Sequence, residues 1–112
     1  MSHDQREIGP VLVALADPTR RLLLDALAEA GQASATTLAG RLPVSRQAVA
    51  KHLRVLCEAG LVAGGRAGRE VLYRVRPAPL DASARWLTEL SAAWRRRLAA
   101  LGTPTEGEVG SR

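Results

Sequence analysis

The apolar positions of the chain recur mainly at the three-or-four-residue spacing of amphipathic helices. The first such set consists of Ile8, Val11, Leu12 and Leu15. Asp17 and Pro18 follow this set, and their residue types favour the cap and the first position of a new helix. The sequence therefore predicts a short first helix and a second helix from Pro18 to about Ala30, where Gly31 ends it.

Two serines mark the predicted starts of the next two helices. Ser34 precedes a short third helix that we expect to end before Pro43. Ser45 precedes a fourth helix that we expect to end at Gly60. The apolar stripe of the fourth helix, at i, i+4 and i+7, consists of Val49, Leu53 and Leu56. One face of the fourth helix is therefore predicted to be buried.

After Gly60 the pattern changes from helical to alternating. Two short runs, 61–66 and 69–76, predict a β-hairpin that turns near Ala67 and Gly68. The second run places Val71, Tyr73 and Val75 on one face of its strand. A last helix is predicted from about Leu80 to Leu101, with a stripe that consists of Leu87, Leu90, Trp94, Leu98 and Leu101.

The predicted order of elements is α-α-α-α-β-β-α, which is mainly helical with one small β-hairpin. A helix–turn–helix followed by a hairpin is typical of the winged helix–turn–helix fold. We expect this domain to span residues 8–101, since 112 residues suit a single domain. Segments 1–7 and 102–112 are polar and lack periodicity, so we expect both to be flexible.

Charge is distributed unevenly along the chain, whose net charge is +5. Residues 41–76 contain eight basic and two acidic side chains, a net charge of +6, whereas both flanks are close to neutral. A basic block inside a folded domain indicates a polyanionic partner, most often nucleic acid. With no Phe, one Tyr and two Trp, a stacking platform for single strands is not expected, which favours double-stranded DNA.

Composition also excludes several classes of protein and site. One cysteine permits no internal disulfide and no zinc site with two cysteines from one chain. The polar N-terminus and the lack of a long apolar run predict no signal peptide and no contact with a membrane. A glycine-rich phosphate loop and a catalytic arrangement are not found. We therefore expect a cytoplasmic protein that is not an enzyme and needs no cofactor.

The outer face of the fourth helix carries side chains suited to a DNA major groove. Arginine can bind guanine through two hydrogen bonds, glutamine can bind adenine in the same way, and lysine can pair with phosphate. Two further arginines lie among the glycines of the hairpin tip, where we expect phosphate contacts. The candidate DNA-binding residues are Ser45, Arg46, Gln47, Ala50, Lys51, Arg54, Arg66 and Arg69. We expect them to form two separate basic surfaces.

Three stretches of the chain carry a family resemblance. The segments ALADPTRR (14–21), VSRQAVAKHLRVL (44–56) and AGLV (59–62) resemble the ArsR family of bacterial winged-helix repressors. The resemblance implies a homodimeric transcriptional regulator whose fourth helix reads operator DNA and whose first and last helices form the dimer. The candidate dimer residues are Ile8, Val11, Leu12, Leu15, Leu87, Leu90, Trp94 and Leu98.

Many members of the ArsR family sense metal ions, but the corresponding residues differ in this chain. One family site uses a cysteine pair at the reading helix, where this chain has only Cys57. Another uses Asp, His and Glu on the last helix, which here contains Asp81 and Glu89 but no histidine. We therefore expect no metal site, and a buried structural role for Cys57 rather than redox sensing.

The sequence thus predicts a homodimeric repressor that binds a palindromic operator through helix 45–59 and the wing 61–76. What relieves repression is left open: a small-molecule inducer, oxidation, or only a change in the amount of the protein. Two alternatives from other classes also remain. One is an architectural protein that binds nucleic acid without sequence preference. The other is a winged helix used only for contact with proteins.

Overall fold

The computed structural model of the protein describes residues 2–102, with the side chains of residues 7–102. Its elements are α1 (Ser2–Leu15), α2 (Pro18–Ala30), α3 (Ala35–Arg41), α4 (Arg46–Glu58), β1 (Val62–Ala67), β2 (Glu70–Val75) and α5 (Ala78–Ala100). This order confirms the predicted winged helix–turn–helix. The tail predicted to be flexible, 102–112, lies outside the described residues except for Gly102.

Three side chains cap the helices at the predicted positions. The carboxylate of Asp17 accepts a hydrogen bond from the backbone N–H of Arg20 at 3.0 Å, and this bond lowers the pKa of Asp17. The hydroxyls of Ser34 and Ser45 each accept an N–H of the first turn of their helix, at 3.1 Å. Gly31, with φ of 84°, ends α2 in the left-handed region that favours glycine. The sequence predicted these boundaries from local chemistry alone.

Helix α1 begins earlier than the apolar pattern indicates. The sequence predicts its start near Ile8, whereas the structure places the first helical residue at Ser2. Polar residues can extend a helix into solvent without contributing to an apolar stripe, so the periodicity carries no signal for them. The flexibility of segment 1–7 stays a prediction.

The core lies between the first four helices and the start of the wing. Its fully or almost fully buried members are Val11, Ala14, Leu23, Leu27, Ala33, Leu38, Val49, Leu53, Leu56, Leu61 and Val62. The stripe predicted for α4 is therefore buried, because α1, α2, α3 and β1 all pack against that helix. Burying one such aliphatic side chain contributes about 1.5–3 kcal/mol, so this packing determines which face of α4 points outward.

The wing is a two-stranded antiparallel hairpin in which Ala67 pairs with Glu70. The turn therefore consists of Gly68 and Arg69, one residue later than the sequence predicts, and Gly68 has φ of 65°. Two backbone hydrogen bonds, of 3.1 and 2.9 Å, join Tyr73 to Ala33 in the loop before α3. These bonds fix the wing to the helical part of the domain.

Gly64 and Tyr73 face each other across the hairpin. A Cβ atom at Gly64 would lie 3.0 Å from a methyl group of Val71 and 3.1 Å from the ring of Tyr73. Glycine therefore fits this position best, because any larger residue would press against the tyrosine ring and the valine side chain. At the neighbouring Gly65, an added Cβ would meet nothing within 4 Å.

Helix α5 packs against α1, and it forms no comparable contact with another element of the described chain. None of the helices in the described range combines the length and apolar character that crossing a membrane requires.

The contrast between the two wing glycines gives the first testable prediction. We expect Gly64→Ala to lower the free energy of unfolding by about 1–3 kcal/mol, since the added methyl group must displace the ring of Tyr73 or the side chain of Val71. Gly65→Ala is the matched control and should leave stability unchanged or slightly raised. Urea denaturation of both variants measures this, and equal stabilities would contradict the packing described.

Candidate nucleic-acid interface

Helix α4 presents one face to the core and the other to solvent. At its start, the bond from the Ala48 N–H to the Ser45 hydroxyl satisfies one donor of the first turn. Val49, Leu53 and Leu56 point inward and are buried. Because helix geometry fixes the angle between successive side chains, the opposite face must point away from the domain.

All six residues of this helix segment that the sequence assigns to DNA contact lie exposed on that outer face. They are Ser45, Arg46, Gln47, Ala50, Lys51 and Arg54. The face combines three cations with one amide and one hydroxyl, and the small Ala50 lets a ligand approach the helix closely. These groups can donate to phosphate oxygens and to the edges of bases.

The hairpin carries the two other candidate residues. Arg66 lies in β1 and Arg69 lies in the turn, and both are exposed. The turn adopts its conformation through Gly68, as described above. Because the bonds between Ala33 and Tyr73 hold the hairpin against the start of α3, the two arginines are carried by a fixed element.

A depression of about 290 Å³ lies between α4, the wing and the start of α3. Arg46 from α4 and Arg69 from the wing both line it. Helix α4 and the wing, which the sequence predicts as two separate basic surfaces, thus share this depression, and the carboxylate of Glu70 lines it as well. The bridge between Ala33 and Tyr73 holds the hairpin beside the start of α3.

Sequence reasoning missed four polar residues that line the same depression. They are Ser34, Thr36, Glu70 and Tyr73. Ser34 was recognised only as a helix cap, and Tyr73 only as part of an alternating strand. Their place beside Arg46 and Arg69 depends on how the hairpin packs, for which the local pattern carries no signal.

The remaining arginines of the basic block lie elsewhere. Arg76 lines a different depression, together with the carboxylates of Glu7 and Glu58. Arg41 and Arg74 are exposed, and neither lines the depression beside α4. The excess positive charge of residues 41–76 is therefore shared between the surface formed by α4 and the wing and other parts of the domain.

Comparisons with known proteins agree with this geometry. A family model described as a helix-turn-helix domain matches residues 15–64. The HTH-type transcriptional regulator Rv2034 of Mycobacterium tuberculosis is 44% identical over 85 residues, which cover 76% of each chain. The solved ArsR-like transcriptional regulator from Rhodococcus sp. RHA1 is 44% identical, with a TM-score of 0.79, and the match covers 96% of this chain and 97% of that one.

The chain belongs to the ArsR family of winged helix–turn–helix transcriptional regulators. It is thus a DNA-binding regulator, and its family is not one of enzymes. A further solved structure, described as the homodimeric winged helix-turn-helix DNA-binding domain of Mb0332 from Mycobacterium bovis, is 26% identical with a TM-score of 0.61. That match covers 84% of this chain and 83% of the other.

The candidate dimer residues of this ArsR-family chain divide into three groups by exposure. Ile8 and Val11 are 2% and 0% exposed, because they pack within their own chain and leave almost no surface for a partner. Leu15 and Leu90 are half-buried. The exposed members are Leu12, Leu87, Trp94 and Leu98. Leu101, which ends the stripe of α5, is also exposed.

No metal centre of the ArsR type is assembled within residues 7–102. No three side chains of the metal-binding kinds lie close enough there to hold an ion. His52 instead points its Nδ1 towards the guanidinium of Arg20, at 3.5 Å. The lack of a metal site stays a prediction, because the side chains of His3 and Asp4 lie outside the described part of the chain.

Cys57 is half-buried near the end of α4. Burial raises the pKa of its thiol above the ordinary value of 9.0, and the neighbouring carboxylate of Glu58 raises it further. Both effects disfavour the thiolate, which is the reactive form of cysteine. This environment supports the structural role expected for Cys57.

We therefore expect Cys57 to react with an aromatic disulfide reagent more slowly than free cysteine at about pH 8, where the raised pKa leaves less thiolate. The rate should increase as the pH rises through the raised pKa, and unfolding in urea should bring it to that of free cysteine. Stopped-flow absorbance measures these rates. A folded protein that reacts faster than free cysteine would contradict this description of the site.

Proposed function

We propose that the chain acts as a homodimeric repressor that binds a palindromic operator through α4 and the wing. The observation that carries this proposal is the depression shared by Arg46 and Arg69, where the outer face of α4 meets the wing. A helix with an exposed basic and amide face, flanked by a basic hairpin, matches the requirements of one half-site of duplex DNA.

Base recognition is assigned to the outer face of α4. Arg46 can donate two hydrogen bonds to guanine, Gln47 can form two with adenine, and the methyl group of Ala50 can contact a thymine methyl. Lys51 and Arg54 lie on the same exposed face and can reach either bases or phosphates. This role is supported by the burial of the opposite face, which leaves α4 a single orientation.

Phosphate contacts are assigned to Arg66 and Arg69 of the wing and to the hydroxyl of Ser45. Charge pairing with phosphate releases counterions from DNA, so each such contact strengthens binding to every sequence and makes it dependent on salt. Arg69 is the better supported of the two arginines, since it lines the depression beside α4.

A second copy of the chain is the proposed partner of α5 and α1. Leu87, Trp94 and Leu98 are 46%, 54% and 39% exposed on one stripe of α5, and Leu12 is 36% exposed on α1. An apolar stripe of this kind requires a partner surface. The homodimeric description of the Mb0332 domain supports a second copy, which would place two α4 helices about one turn of DNA apart.

Repression follows from occupancy, because a dimer on an operator excludes other proteins from the same stretch of DNA. The cytoplasm, where duplex DNA and reduced thiols occur together, is the proposed place of action. Release by a small molecule stays open, and a change in protein concentration would relieve repression without one.

Two substitutions separate base reading from phosphate binding. On a duplex selected from a random pool, we expect Gln47→Ala to relax the preference at one base pair per half-site, by about 1–3 kcal/mol. Arg69→Ala should instead weaken binding to all duplexes and lower the salt slope by about 1 per lost contact. Fluorescence anisotropy over a salt series measures both effects.

Each variant serves as the control for the other. Equal effects of both changes on the selected duplex and on a scrambled one would contradict the assigned roles. Equal affinity of the unchanged protein for all duplexes would favour the architectural alternative. No binding to any duplex would favour a protein-contact module.

Substitutions at two exposed leucines, one on α5 and one on α2, test the proposed dimer. We expect Leu87→Glu to dissociate the dimer, because it places a charge within the apolar stripe of α5. Leu22→Glu on α2 is the matched control, since Leu22 is 49% exposed but lies outside α1 and α5. Sedimentation velocity measures the masses. A dimer that survives Leu87→Glu, or one that is lost with Leu22→Glu, would place the interface elsewhere.

A further inference from the structure

The side chain of Arg20 connects the end of α1 to α4. Its Nε donates a hydrogen bond of 2.8 Å to the carbonyl of Ala14, and its Nη2 donates one of 3.1 Å to the carbonyl of Val13. Its Nη1 lies 3.5 Å from Nδ1 of His52, which belongs to α4. One planar guanidinium group therefore contacts both the helix proposed for dimer formation and the helix proposed for DNA reading.

Several features hold this guanidinium in place. The bond from the Arg20 backbone N–H to Asp17 fixes the first turn of α2, from which the side chain extends. The carbonyls at the end of α1 carry partial negative charge, which attracts a cation. Arginine has only donors, so in this contact the guanidinium donates and Nδ1 of His52 is the acceptor.

Arg21 provides a comparison on the same helix end. Its Nη1 donates to the carbonyl of Leu15 at 2.6 Å, and its side chain is exposed. Arg21 thus caps α1 as Arg20 does, whereas only the bond network of Arg20 extends to His52. Replacing Arg20 and Arg21 in separate variants therefore distinguishes the effect of capping α1 from the effect of connecting α1 with α4.

We propose that Arg20 is a positioning residue that holds α4 at a fixed angle to α1 through His52. This role rests on the proposed function, in which α1 lies at the dimer interface and two copies of α4 enter successive major grooves. Val11 and Ala14 of α1 belong to the same buried core as the apolar stripe of α4, and apolar packing between α1 and α4 is not directional and permits small rotations. The directional contacts of Arg20 restrict them and so fix the distance between the two reading helices of a dimer.

If Arg20 positions α4, its replacement should lower the affinity only for DNA that both protomers must contact at once. A single half-site requires only one α4, whose own face is unchanged when Arg20 is replaced. A complete operator requires both copies of α4 at one separation, and DNA offers the second half-site only at a fixed spacing. Loss of the connection should therefore weaken binding to the complete operator and widen the range of spacings that is tolerated.

The test uses a duplex that the unchanged protein selects from a random pool. It is compared with the same duplex with one half scrambled, and with duplexes that have one base pair inserted or deleted between the halves. We expect His52→Leu to weaken binding to the complete duplex about fivefold, the size expected for one lost hydrogen bond, and Arg20→Met to weaken it at least as much, since it also removes the bonds to Ala14 and Val13. Both should also reduce the penalty for altered spacing and leave binding to the scrambled-half duplex within about twofold.

Two further variants are the controls. Arg21→Met should behave as the unchanged protein, and His52→Gln should retain the spacing preference because its amide oxygen can accept from Arg20. If Arg20→Met fails to fold, His52→Leu carries the test, since it leaves the bonds from Arg20 to α1 intact. Thermal melting and sedimentation confirm that each variant is a folded dimer.

Two results would overturn the positioning role while the proposed function stands. One is an equal loss on the complete and the scrambled-half duplex, with an unchanged spacing penalty. The other is Arg21→Met behaving as Arg20→Met does, which would reduce Arg20 to a cap of α1. Failure of the unchanged protein to select any duplex with two related halves would instead overturn the proposed function, and the positioning role with it.

Discussion

The burial of one stripe of α4 is the constraint on which the rest of the structure depends. Val49, Leu53 and Leu56 are 0%, 2% and 0% exposed, and each contributes about 1.5–3 kcal/mol when removed from water. Half a turn of rotation about the helix axis would expose them and bury the charges of Arg46 and Lys51, at a cost of several kcal/mol for each ion. The helix therefore has one orientation, and its basic face points outward because its apolar face cannot.

The other elements place that face relative to its surroundings. The single bridge between Ala33 and Tyr73 draws the wing against the start of α3, so that Arg69 joins Arg46 on one surface. Helix α5 packs only on α1 among the described elements and leaves much of its apolar stripe exposed. The exposed basic face of α4 and the exposed apolar stripe of α5 thus lie on one small domain, which is the arrangement that the proposed dimeric regulator requires.

The sequence predicted the features that local chemistry determines. Asp17, Ser34 and Ser45 cap their helices through short-range hydrogen bonds, and such bonds depend on residue type and spacing alone. Periodicity also predicted the apolar stripe of α1 that contains Ile8, but it did not predict which surface covers that stripe. An apolar stripe has the same sequence pattern whether it packs on its own chain or on a second copy. The contact of Arg20 with His52 joins residues 32 positions apart, so no local pattern indicates it.

The central claim is that a dimer of this chain reads DNA bases through its two α4 helices. The most direct test is to let the unchanged protein select duplexes from a random pool, because the selected sequence depends on base reading and on dimer formation together. The account predicts an enriched inverted repeat whose half-site centres are separated by about one helical turn, or 10 base pairs. Two outcomes would contradict it: a pool that stays random although DNA is bound, and an enriched site without internal symmetry.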